Sequence, residues 1–152
     1  MGFRIFVDTD VLLDFLLKRS SYQIVRRLVD WAVGGRVQLF TSPAILRDIA
    51  WELTKAYGAA QAKELLLALL AILQLVDAGY DTAVSALQSE IGNISGAISY
   101  HTALNHRLDY FITHDTSLLG VVNPVLPAYT AIDFLNRHPV DPERANRLWQ
   151  ES

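Results

Sequence analysis

Three aspartates are singled out by what precedes them in the chain. Asp8 ends an apolar, β-prone stretch over residues 3–7. Asp115 lies two residues past a second such stretch, 109–113, and Asp48 sits on the first turns of a helix entered at Thr41-Ser42-Pro43. Carboxylates gathered at strand ends repel one another unless a cation neutralises them. Their hard oxygens suit Mg²⁺ or Mn²⁺, and the chemistry such a site performs best is metal-assisted hydrolysis of a phosphodiester or phosphate ester. Taken singly, each of these residues also suits a helix cap or a solvated helix face, so only the set of three points to a site.

Short apolar runs alternating with helical periodicity must position these residues. The stretch 3–7 reads as a first strand, followed at once by a helix to about residue 18 on the spacing of Val11, Leu12, Phe15 and Leu16. Ser20 or Ser21 can cap a second helix that Gly34-Gly35 stops, and 37–40 reads as a second strand. Ser42-Pro43 opens a third helix that ends near Tyr57-Gly58. A very apolar helix is expected over 59–73, with its run 65–73 buried, and then a short strand at 75–76. Helices over 81–88 and 94–107, a strand over 109–113, an edge strand over 121–126 interrupted by Pro124 and a closing helix over 130–136 complete the pattern. Strands alternating with helices predict an α/β domain over 1–136 with a mostly parallel sheet, and an arm or short helix over 137–152. Ligands of such sheets sit at the carboxyl ends of the strands, where Asp8 and Asp115 fall.

Composition excludes several classes. Apolar residues make up 51% and charged residues 19%, which rules out wholesale disorder. The net charge of −3 disfavours a globally basic nucleic-acid binder but allows a local basic patch. Lys18, Arg19, Arg26 and Arg27 place four cations within ten residues, a candidate path for an RNA backbone. The absence of cysteine excludes disulfides and thiolate chemistry. His101 and His106 are five apart, about 140° round a helix, and cannot share a face. The longest apolar run is nine residues, short of the roughly 20 a membrane span needs. With no secretory signal at the start, a cytoplasmic protein is expected.

The segment Ile5-Phe6-Val7-Asp8-Thr9-Asp10-Val11 resembles the opening of the PIN domain, a strand followed by Asp-Thr-Asn and an apolar helix. The stretch from Thr41-Ser42 through Arg47-Asp48-Ile49 is similar to the second block of that family, and Phe111-Ile112-Thr113-His114-Asp115 to its last block, an apolar strand ending Thr-Arg-Asp. The resemblance implies a three-layer α/β/α sandwich with a central, mostly parallel sheet. It further implies a VapC-like toxin: an Mg²⁺-dependent ribonuclease, homodimeric and held inactive by an antitoxin peptide across apolar helices. On that pattern Asp8, Asp48 and Asp115 would be catalytic and hold Mg²⁺ or Mn²⁺ in one metal-sized cluster. Asp10 and Asn93 would be auxiliary ligands, with Thr9, Thr113 and Ser95 in support.

The chain departs from the family in three places. Asp48 stands where Glu is usual and is one methylene shorter. Asp10 replaces Asn. Gly96 occupies the place of the third acid, and the only acid between Asp81 and Asp109 is Glu90. A second function class follows from Gly96, a PIN-fold binding or assembly module that does not cut. Asp8-Thr9-Asp10 is also similar to the start of haloacid-dehalogenase-like phosphatases, but these need a later Lys and none follows Lys63.

Overall fold

The computed structural model of the chain describes residues 2–138. Five strands form one sheet in the order β3-β2-β1-β4-β5, with every neighbouring pair parallel. They are β1 (Phe3–Val7), β2 (Val37–Thr41), β3 (Leu73–Leu75), β4 (Tyr110–Ile112) and β5 (Ala128–Tyr129). Among the described residues, eight helices connect and cover them: α1 (Thr9–Leu16), α2 (Tyr22–Val33), α3 (Pro43–Tyr57), α4 (Ala59–Leu70), α5 (Tyr80–Gln88), α6 (Ile94–Asn105), α7 (Thr116–Leu119) and α8 (Ala131–Arg137). This is the expected α/β/α sandwich, with a sheet that is wholly parallel.

The central strand β1 is buried at Ile5, Phe6 and Val7, as a strand covered on both faces must be. Phe6 stacks on Phe111 of β4 with ring centroids 5.2 Å apart, which ties the two strands that carry the acids. Ile45, Ile49 and Leu53 bury one face of α3, leaving the face with Arg47, Asp48 and Trp51 outward. The Ser42 hydroxyl accepts the Ile45 N–H at 3.2 Å, the cap that Ser-Pro announced.

Three expectations are corrected. The stretch 121–126 is not a strand. Pro124 cannot donate to a ladder, and the edge strand forms instead at Ala128–Tyr129, against Phe111 and Ile112. The third strand is Leu73–Leu75, two residues earlier than expected, because α4 already ends at Leu70. The apolar run 65–73 is not buried throughout. Within α4 only Ala62 and Leu69 are buried, while Leu67 and Leu70 are exposed, because the helix covers a single stripe against its neighbours. Of the expected C-terminal arm, residues 139–152 lie outside the described residues. Among the described residues, no helix is long and apolar enough to cross a membrane.

Candidate active site

Adjacent parallel strands deliver the two best-placed acids. The backbone N–H of Asp8 donates to the Ile112 carbonyl at 2.9 Å, so the residue leaving β1 sits beside the end of β4. Asp8 is 9% exposed and caps α1, its Oδ1 accepting the Thr9 N–H at 2.9 Å. Asp115 caps α7, its Oδ1 accepting the Ser117 N–H at 2.9 Å and the Ser117 hydroxyl at 2.8 Å. Thr113 joins the pair: its hydroxyl donates to Asp8 Oδ2 at 2.7 Å and accepts the Asp115 N–H at 3.0 Å.

From α6 comes a third contributor. Asn93 Nδ2 donates to Asp115 Oδ2 at 2.6 Å, while its Oδ1 accepts the Gly96 N–H at 3.1 Å and so caps the helix. The two carboxyls respond oppositely. Burial pushes the Asp8 carboxyl up from its ordinary value. The charges of Asp10 and Asp115 add to the rise, and the hydrogen bonds from Thr113 and Thr9 oppose it. The Asn93 amide and the Ser117 hydroxyl and N–H hold the Asp115 carboxyl down.

A cavity of about 270 Å³ is lined by Asp8, Asp10, Asp48, Asn93, Ser95 and Asp115, with Thr9 also on its wall. The sequence-derived set, apart from Thr113 behind it, thus shares one pocket. Sequence reasoning missed Asp77, which follows β3 and lines the same cavity, and Ser99. Asp77 stands at a strand end like Asp8, and that position was the available signal.

The expected three-acid, metal-sized cluster is not formed. Among the described residues, no three His, Asp or Glu side chains converge to hold a metal ion. The cause is local. Asp48 is exposed on α3 and one methylene shorter than Glu, and Gly96 contributes no side chain. A Cβ at Gly96 would lie 2.9 Å from Leu118 Cδ1 and 3.2 Å from the Asn93 amide, so the helix approaches its neighbours where the family carries its acid.

What remains still fits Mg²⁺, which is held by one or two carboxylates and keeps several waters. A carboxylate offers roughly four lone-pair sites. Protein donors use two on Asp8 and three on Asp115, leaving both with capacity. The desolvated Asp8 charge beside Asp10 and Asp115 is the electrostatic situation that a cation relieves.

Of the four cations proposed for RNA, Arg19 alone reaches the neighbourhood. It lines a second cavity of about 790 Å³ together with Thr9, Asp10, Arg47, Asp48 and Trp51. Lys18, Arg26 and Arg27 are exposed and line neither cavity. Asp14 holds Arg19, its Oδ1 lying 3.9 Å from the guanidinium, and it also meets His114 Nδ1 at 3.0 Å through Oδ2.

Comparison with known proteins agrees with this fold. Among curated proteins none matches the chain by sequence. The chain is similar in structure to VapBC2 from Rickettsia felis, solved bound to a DNA fragment from its promoter. The TM-score is 0.63 at 15% identity, covering 84% of this chain and 98% of that one. It is likewise similar to a toxin–antitoxin complex from Klebsiella pneumoniae, with a TM-score of 0.63 at 18% identity over 84% and 97% of the two chains. A third similarity is to VapC20 from Mycobacterium tuberculosis, a sarcin–ricin loop cleaving toxin. That TM-score is 0.60 at 16% identity over 78% and 96%. At these identities the likeness shows the fold. The family model described as PIN domain matches residues 4–117, three quarters of the sequence, and the chain belongs to the PIN-domain family.

Proposed function

We propose that the protein is a metal-dependent ribonuclease of the VapC type that cuts RNA phosphodiesters at the Asp8–Asp115 pocket. The observation that carries this reading is the Thr113 hydroxyl bridging two acids at the ends of β1 and β4, in a cavity that Asp10 and Asp48 also line. Asp8 and Asp115 would hold the cation, with Asp48 and Asp10 assisting. A divalent cation held there would supply an acidified water and neutralise charge on the attacked phosphate. Asn93 orients Asp115 from α6, Thr113 fixes the Asp8 carboxylate, and the Ser95 hydroxyl and the Thr9 side chain line the space for the phosphate. Only Arg19 among the proposed cations is retained for the RNA path.

The toxin–antitoxin complexes among the structural neighbours support an antitoxin partner, and the proposal extends to a homodimer in the cytoplasm. The exposed Leu67 and Leu70 on α4 supply an apolar face for such a partner. Gly96 favours the second reading, a PIN-fold module that binds without cutting. Incubating purified protein with a structured RNA pool in Mg²⁺, Mn²⁺ or EDTA separates the two. EDTA-sensitive cleavage supports the ribonuclease. A folded protein that cuts nothing in either metal rejects it in favour of the module.

A further inference from the structure

The outward face of α3 carries a second feature beside the acid pocket. Trp51 is 67% exposed, although a tryptophan buries more apolar area than any other side chain could when placed in a core. It lies one turn beyond Arg47 and Asp48, at the i+4 and i+3 spacings that put residues side by side on a helix. The same three residues line the larger cavity, opposite Arg19, Asp10 and Leu13. Thr9, Asp10 and Asp48 line both cavities, so the groove opens directly out of the acid pocket. Lys55 Nζ stands 5.6 Å from the Trp51 ring centroid and 3.1 Å from Glu52.

Resting on the ribonuclease reading, we infer that Trp51 is the platform on which an unpaired base of the RNA substrate stacks, with Arg19 and Arg47 taking the flanking phosphates. An exposed ring in a groove that also carries Arg19 and Arg47, continuous with the proposed phosphodiester site, offers a nucleotide both of its needs: a π-face for the base and donors for the backbone. The acids in the groove do not cancel this. Glu52 is paired with Lys55, Asp14 lies 3.9 Å from an Arg19 that stays exposed, and Asp10 and Asp48 lie at the junction with the acid pocket. A duplex keeps its bases stacked on one another and has none to give Trp51, so the groove selects single-stranded or looped RNA. Trp51 thereby positions the strand and is no catalytic residue.

The test is the affinity of wild type, Trp51→Ala and Trp51→Phe for a labelled single-stranded oligoribonucleotide in EDTA, read by fluorescence anisotropy. Trp51→Ala should bind about tenfold more weakly, and Trp51→Phe, which keeps a stacking face, should stay within about threefold of wild type. An unlabelled duplex of the same sequence should compete poorly. Unchanged affinity in Trp51→Ala, equal losses in both variants, or equal competition by the duplex overturns the stacking role alone. A wild type that binds no RNA overturns the ribonuclease reading along with it. A change in oligomeric state in Trp51→Ala with RNA affinity intact assigns the face to a protein contact and overturns the inference.

Discussion

Thr113 donates its hydroxyl hydrogen to Asp8 Oδ2 at 2.7 Å, joining residues 105 positions apart in sequence through a side chain with no exposure to solvent. The same oxygen accepts the Asp115 N–H at 3.0 Å, so one buried hydroxyl sets the relative position of both acids. A hydroxyl is required here because it is a donor and an acceptor in a small volume.

Thr113→Val keeps the shape and removes both bonds, leaving Asp8 Oδ2 and the Asp115 N–H without these partners. We expect a loss of about 1–3 kcal/mol in denaturant unfolding, together with weaker Mn²⁺ binding in calorimetry. Thr113→Ser should restore most of both. Equal stability of Thr113→Val and wild type would show that the bridge is dispensable.

Asn93 performs two tasks at once, capping α6 through Gly96 and donating to Asp115 at 2.6 Å. Asn93→Ala should cost about 1–2 kcal/mol. Because the hydrogen bonds hold the Asp115 carboxyl below its ordinary value, the stability it contributes is present above that value. It is lost as pH falls through the lowered folded value. The penalty of Asn93→Ala should therefore be largest near neutral pH and shrink in acid, which a pH series of thermal melts would register. A penalty independent of pH would leave only the helix cap.

Gly96→Ala sets two effects against each other. Helix propensity favours alanine by about 1 kcal/mol, whereas overpacking costs about 1–3 kcal/mol. With Leu118 Cδ1 at 2.9 Å and fully buried, the contact should win and the variant should melt below wild type. Gly96→Asp meets the same obstruction, so restoring the family's acid there should not raise Mn²⁺ affinity without a loss of stability. A stabilised Gly96→Ala would mean that Leu118 yields freely.

The sequence displayed local chemistry well and tertiary recruitment poorly. Asp8, Ser42 and Asp115 cap helices as their sequence contexts suggest, because a cap's residue type and its neighbours lie together in the chain, while the cap by Asn93 went unread. The parallel sheet followed from strands separated by helices. Less legible was the edge strand, because pairing with Phe111 and Ile112 chose Ala128–Tyr129 over the more apolar stretch that Pro124 interrupts. The exposure of Leu67 depends on which stripe of α4 its neighbours cover, which hydropathy alone does not encode. Arg47 and Trp51 came to line the larger pocket through the packing of α3, with no motif to mark them, whereas Asp77 was marked only by its place after β3. The departure at Gly96 was visible in sequence, while the close approach of Leu118 that makes it structural was not.

The most direct measurement is cleavage of a structured RNA pool in Mg²⁺ by wild type and by Asp8→Asn, purified in parallel, with circular dichroism to confirm that both are folded. Asparagine still caps α1 and removes the charge, so the fold should stand and the cut should disappear. Wild-type cleavage that EDTA stops and Asp8→Asn lacks is the expected result. Equal cleavage by the two proteins, or none by a folded wild type, would contradict a metal-dependent ribonuclease built on Asp8 and Asp115.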